Sequence, residues 1–430
     1  MTSRLIVALS AALCLAGYGW IYATGIADHP IRSDGFSYYV YLPSWFLWHD
    51  TTLAAAARDC CGGEFPEFSA IIRWPETRRW VNAHPIGVAI MQAPAFFAAH
   101  LLTRWTNLSP DGFSLYYQHA VGLSGLLWIV AGLAVLRRVL LQSFPDRVTA
   151  ATLAALLLGT NLYHYATYDS SYSHPYSFFL FAAFMWLTMK WYAEPGTKTS
   201  VLLGIVSGLI VLVRHTNVLF TVVFVLYGVG AGTGVSSRAD QMWRARGQLA
   251  RIAGAAALVI LPQLLLYYQA TGHLLVSSYG ELGFNWTSPQ LAAVLFGVRK
   301  GLFFWSPLLL IAAAGLVVLL RWKKPASAFV VPGTLFLIVH TYLIASWWDW
   351  QFGGSYGHRG FVDALPLFAP GLGAAFDRAS RRPAARVAIT GVVVMLVALS
   401  VFQMLQYWYG IIPFNDTTWT AYRELFLQWR

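Results

Sequence analysis

Apolar runs separated by short polar turns fill most of the chain, and their lengths predict what it builds. About 20 apolar residues cross a bilayer as a helix. By that ruler there are eleven spans, at 5–26, 115–136, 148–167, 175–193, 201–213, 216–234, 252–270, 302–320, 327–345, 360–376 and 387–408. A further apolar stretch, 85–102, lies within the long connection 27–114. In the same connection the run Phe36–Trp48 carries Tyr38, Tyr39, Tyr41, Trp45 and Trp48. Such rings favour a helix lying at the membrane–water interface. The pattern predicts an all-α polytopic membrane protein of about eleven transmembrane helices, with interfacial or re-entrant helices in a long first exported loop. Residues 1–430 read as a single transmembrane domain, and 409–430 as an exported tail. The run 5–26 can span and no small-residue cleavage site follows it, so it reads as a retained helix.

Charge supplies the topology. Only 11% of the residues are charged and 57% are hydrophobic, against roughly 25% charged in a soluble domain. Lys and Arg number 29 against 18 Asp and Glu. An imbalance of that size could suggest a nucleic-acid partner, but cytoplasmic turns absorb it. With 85–102 re-entrant instead of spanning, one side holds 17 cations against four anions, and the other 12 cations against 14 anions. The positive-inside rule then places the N-terminus inside and the C-terminus outside. Nucleic-acid binding is the poorer reading. Of the three cysteines, Cys14 sits in the first span, while Cys60 and Cys61 are adjacent in the exported loop. The adjacent pair could be a vicinal bridge or two thiols.

The outer face holds the candidate chemistry. Asp34 follows the first span, where it could cap a short helix or project into a cavity. Asp169 and His174 lie between the third and fourth spans, and ionisable groups at that depth are costly unless used. His84 precedes 85–102, and Arg214-His215-Thr216-Asn217 interrupts two apolar runs. Backbone capping and snorkelling account for these without function. The loop 271–301 contributes Glu281 and Lys300, and the turn Trp347–Gly360 contributes His358 and Arg359. An Arg–His pair in a glycine-rich turn suits a phosphate clamp. No His, Cys, Asp and Glu spacing forms a metal motif, so no metal ligand is assigned, although a divalent metal is compatible with the inventory.

With these residues laid out, the sequence resembles the GT-C superfamily of lipid-linked-sugar glycosyltransferases. It is most similar to the bacterial branch related to protein O-mannosyltransferases and lipid A aminoarabinose transferases. The resemblance rests on Asp34, His84-Pro85, Arg137-Arg138, Asp169, Gly204 to Asn217 and the turn Phe352–Arg359. Two departures stand out. Gly35 occupies the place of the acid in the family's frequent Asp-Glu pair, and the first loop has no lysine.

The resemblance implies a bacterial inner-membrane enzyme that moves a hexosyl or pentosyl group. The donor is a polyprenyl-phosphate sugar and the acceptor a hydroxyl of a lipid, glycan or protein, with inversion. Asp34 and Asp169 are the catalytic candidates. Tyr38, His84, His174, Glu281, Lys300, His358 and Arg359 are the substrate-binding ones. Asp34 would be the base, its basicity raised by an apolar surround. Arg359, with Lys300 or His358, would hold the phosphate, and Asp169 and His174 would orient the acceptor or sugar. A transporter or flippase would instead call for paired repeats with broken helices. A polymerase or ligase of lipid-linked glycans also remains open.

Overall fold

The computed structural model describes residues 2–277 and 282–429. Glu281 lies outside the described residues. Five helices are long and apolar enough to cross a membrane: Ser3–Ala23, Leu115–Leu141, Arg246–Thr271, Pro325–Ser346 and Pro383–Trp408. Shorter apolar helices cover Gly87–Thr103, Thr197–Val213, His215–Val225 and Leu308–Leu319. His174–Ala193 runs through the middle, burying Phe178, Phe181 and Phe184. Phe181 stacks on Phe220 at 3.7 Å between ring centroids.

Lipid supplies no hydrophobic drive between helices, so close backbone approach has to. Glycines provide it. A Cβ at Gly204 would sit 2.4 Å from the Ile252 carbonyl oxygen, where Thr197–Val213 crosses Arg246–Thr271. One at Gly125 would sit 1.7 Å from the carbonyl oxygen of Ser170.

Several expected spans are broken. The stretch 148–167 becomes Asp146–Leu158 and Leu162–Thr167. At the break, the Thr160 hydroxyl accepts from the Leu162 N–H, and the Asn161 amide donates to the Tyr356 carbonyl. The stretch 302–320 divides at Ser306-Pro307 into Leu302–Trp305 and Leu308–Leu319. The stretch 360–376 starts as a 3₁₀ turn, Arg359–Phe361, before Leu365–Ser380. Non-helical backbone within a membrane protein is tolerated only inside protein or against a cavity; Asn161 is packed inside, on the Tyr356 carbonyl, and Arg359 lines a cavity.

The connection 27–114 is less helical than expected. It includes the antiparallel hairpin Ile71–Arg73 with Trp80–Asn82, Ile72 opposite Val81. The aromatic run does not lie as one interfacial helix. It folds into Asp34–Tyr39 and Tyr41–Phe46, whose Tyr38, Tyr39, Tyr41 and Leu42 are buried. The physical reason is internal satisfaction of the phenols. Tyr39 donates to the Gly112 carbonyl and Tyr41 to that of His84. Cys60 and Cys61 are joined as a disulfide at the end of Ala54–Cys61.

Candidate active site

Asp34 opens the short helix Asp34–Tyr39, directly after Ser33, whose φ of 47° lies in the left-handed region. This sharp turn aims the carboxylate across the molecule. Its Oδ2 accepts from Nη1 of Arg359 at 2.8 Å, and both side chains are largely buried. The next residue explains the missing second acid: a Cβ at Gly35 would lie 2.1 Å from the Ser171 hydroxyl oxygen. A side chain there would force Ser171, which donates to the Pro30 carbonyl, to move.

Arg359 hangs from a turn in which Phe352 and Gly353 both take left-handed backbone, φ 56° and 58°. The Phe352 ring is flanked by two guanidiniums, Arg359 at 5.9 Å and Arg214 at 5.5 Å from its centroid. Arg214 is held from behind by Asp363, 3.7 Å away. Asp363 in turn accepts from the Asn217 amide at 3.1 Å and meets His174 Nδ1 at 3.0 Å. The Nε–H of Arg359 is buried without a partner.

Of these groups, Asp34, Arg214, Phe352 and Arg359 line a cavity of about 420 Å³. Its polar floor is Asp34, Tyr38, His84, Arg214, His215, His340, Asp349 and Arg359. Its other wall is apolar, formed by Leu282, Phe284, Leu343, Ile344, Trp347 and Trp348. At the rim Leu282 and Trp348 are about half exposed. Two histidines present unpartnered Nδ1 atoms, His84 and His340. His340 donates from Nε2 to the Gly360 carbonyl at 2.9 Å, which leaves Nδ1 as a free acceptor.

Electrostatics correct one expectation. Burial alone would raise the Asp34 carboxyl, but the charges of Arg359, His84, His174 and Arg214 hold it below the usual carboxylate range. The apolar surround does not win, because a guanidinium is built into the site. Burial does win at Asp349, whose carboxyl is pushed up. Burial also takes the His84 imidazole down to about 4, so it is neutral at neutral pH. Two carboxylates on one cavity are thus driven apart in acidity, the arrangement that separates acid and base roles.

The other expected residues lie elsewhere. Asp169 does not line the cavity. It accepts from Arg32 at 3.0 Å and meets Nε2 of His164 at 2.9 Å. The indole N–H of Trp408 donates to His164 Nδ1 at 2.8 Å, so Nε2 carries the proton that Asp169 receives. Burial opposes the Asp169 charge, yet His164 and Arg32 bring its carboxyl down to about 2. His174 stands one layer behind the cavity, on Asp363. Lys300 is spent on the carbonyls of Ser355 and Phe414, and burial draws its ammonium down to about 7. His358 lies between the rings of Phe352 and Phe361, at 5.8 and 5.0 Å. The residues brought together are therefore Asp34, Tyr38, His84 and Arg359. Arg214, His340 and Asp349 complete them and were not among the expected site residues. Arg214 carried a signal, a cation interrupting two apolar runs, but the snorkelling explanation covered it.

Among the described residues no three His, Cys, Asp or Glu side chains are grouped as a metal requires. One Asp34 oxygen is taken by Arg359.

No protein-family model matches the chain, and no curated protein matches it in sequence. Solved structures do. ArnT from Cupriavidus metallidurans in the apo state aligns with TM-score 0.56 and 15% identity, over 96% of this chain and 66% of that one. AglB, the oligosaccharyltransferase of Archaeoglobus fulgidus, in complex with an inhibitory peptide and a dolichol-phosphate, aligns with TM-score 0.54 and 9% identity, over 94% and 55%. The Archaeoglobus fulgidus oligosaccharyltransferase in the apo form gives 0.53 and 11%, over 98% and 57%. The chain has the GT-C fold. It spans only 55–66% of the length of these GT-C proteins. The shared part contains nearly all of the present chain.

Proposed function

We propose that this GT-C protein is a membrane glycosyltransferase that moves a sugar from a polyprenyl-phosphate-linked donor to a hydroxyl acceptor on the outer face of the membrane. The observation that carries the reading is the 2.8 Å pair of Asp34 and Arg359 on a cavity that is charged on one wall and apolar on the other. A base and an anion receptor already face each other. The eleven-span count, the inward N-terminus and the re-entrant placing of Gly87–Thr103 belong to this proposal.

The step is a single displacement. The donor phosphate takes over the guanidinium of Arg359, with Arg214 beside it, and its polyprenyl chain follows the Leu343–Trp348 wall. Losing its cation restores the basicity of Asp34, because burial then acts unopposed. Asp34 accepts the acceptor's hydroxyl proton as that oxygen bonds to the anomeric carbon. The bond from that carbon to the phosphate oxygen breaks, and the lipid phosphate leaves with the electron pair toward the two arginines. Attack opposite the leaving group inverts the anomeric centre. His84, His340 and Tyr38 are placed to hydrogen-bond the sugar. Asp169 holds Arg32 and His164, and His174 steadies Asp363 and through it Arg214, so both act at one remove from the reacting atoms.

Arg359→Ala tests the phosphate assignment. A charge-assisted hydrogen bond contributes about 1.5–3 kcal/mol, so polyprenyl-phosphate binding should weaken about tenfold to a hundredfold, with acceptor binding much less affected. Unchanged affinity for polyprenyl phosphate would remove Arg359 from the role.

A further inference from the structure

A second large cavity lies at the far end of the helix array from Asp34. It has a volume of about 510 Å³, with Ile311, Val318 and Ile389 on its walls and Arg378, Arg381 and Arg382 at its mouth. The groove arises from how its helices meet. Leu308–Leu319 and Leu365–Ser380 touch backbone to backbone, since a Cβ at Gly315 would lie 1.8 Å from the Gly371 carbonyl oxygen. Alanines beside that contact are too short to fill the space left next to Pro383–Trp408.

Its charge is unbalanced. Asp377 is already shared between Lys324 at 3.3 Å and Arg381 at 3.0 Å. Arg378 and Arg382 are exposed and have no carboxylate partner among the described residues. The surrounding helix faces are apolar and open, with Val317 59% and Val387 70% exposed. Such faces on membrane helices meet acyl chains.

We infer that this groove binds an anionic phospholipid. Its phosphate would sit on Arg378 and Arg382, which present forked donors matched to phosphate oxygens. One acyl chain would lie along the Ile311–Val318–Ile389 wall. A free phosphate would satisfy the arginines and leave the apolar trench open to lipid. A zwitterionic lipid would fill the trench but bring its own cation to the arginines. An anionic phospholipid answers both features.

Native mass spectrometry of the full-length protein in detergent tests this, titrating phosphatidylglycerol against phosphatidylcholine of the same acyl chains. The wild type should retain phosphatidylglycerol about tenfold better. The pair Arg378→Gln and Arg382→Gln should abolish that preference. Ala314→Phe, an exposed position on the groove, should reduce retention by filling the trench. Arg386→Gln, in the first turn of Pro383–Trp408 but outside the groove, should behave as wild type, and glycerol 3-phosphate should not displace the lipid. Equal retention of the two lipids overturns the inference. So does retention that survives either groove variant or is lost in Arg386→Gln, and so does displacement by glycerol 3-phosphate, which would mark a free-phosphate site.

Discussion

The acidity of Asp34 is set by two opposed effects, burial raising it and Arg359 with its neighbours lowering it. The balance can be reversed by one substitution. In Arg359→Gln the carboxyl is left with burial and weaker cations, so its pKa rises. A base must be ionised, hence the acid limb of the pH–rate profile should move to higher pH in the variant. An acid limb at the wild-type position would mean that another group sets it, with Asp349 next in line. At this scale the sequence was informative about identity and poor about partnership. Asp34, His84 and Arg359 were visible as polar residues beside apolar spans. Their pairing joins positions 34 and 359, and no periodicity reports a contact so distant in the chain. Asp169 shows the converse: it resembled a catalytic acid in position, but Arg32 and His164 occupy both of its oxygens.

Among the elements, the breaks matter more than the spans. A ruler of about 20 residues finds where apolar chain is plentiful, and the long helices fell where it put them. It cannot see Gly159–Asn161 or Ser306-Pro307 as interruptions, because their neighbours are as apolar as any helix interior. The hairpin at 71–82 was missed for a related reason, since three-residue strands are too short to show alternation. The turn that carries Arg359 is itself tied down: Lys300 links the Ser355 carbonyl to that of Phe414 in the tail. Lys300→Met leaves the carbonyl of the buried Ser355 without that donor, at about 1–3 kcal/mol, while the Phe414 carbonyl keeps the Ser355 N–H. The unfolding midpoint in detergent should fall, and the donor KM should rise more than kcat drops. An unchanged donor KM would separate the tail from the site.

The molecule carries its carboxylate-bearing cavity and the Arg378, Arg381 and Arg382 cluster on separate sites. Leu365–Ser380 connects the two, starting beside Asp363 and ending at the arginines after 16 residues, about 24 Å by helical rise. A largely helical membrane plan was legible from composition and the lengths of apolar runs, because these are properties of sums and not of particular contacts. On the function proposed above, the cavity is the place where a lipid-borne sugar meets a base. Sugar transfer from a polyprenyl-phosphate donor, measured in proteoliposomes with wild type and Asp34→Asn, tests that reading most directly. Removing a general base typically costs about 10²–10⁴-fold, so transfer should fall by that order while the variant still binds polyprenyl phosphate. Transfer near the wild-type rate in Asp34→Asn would contradict it.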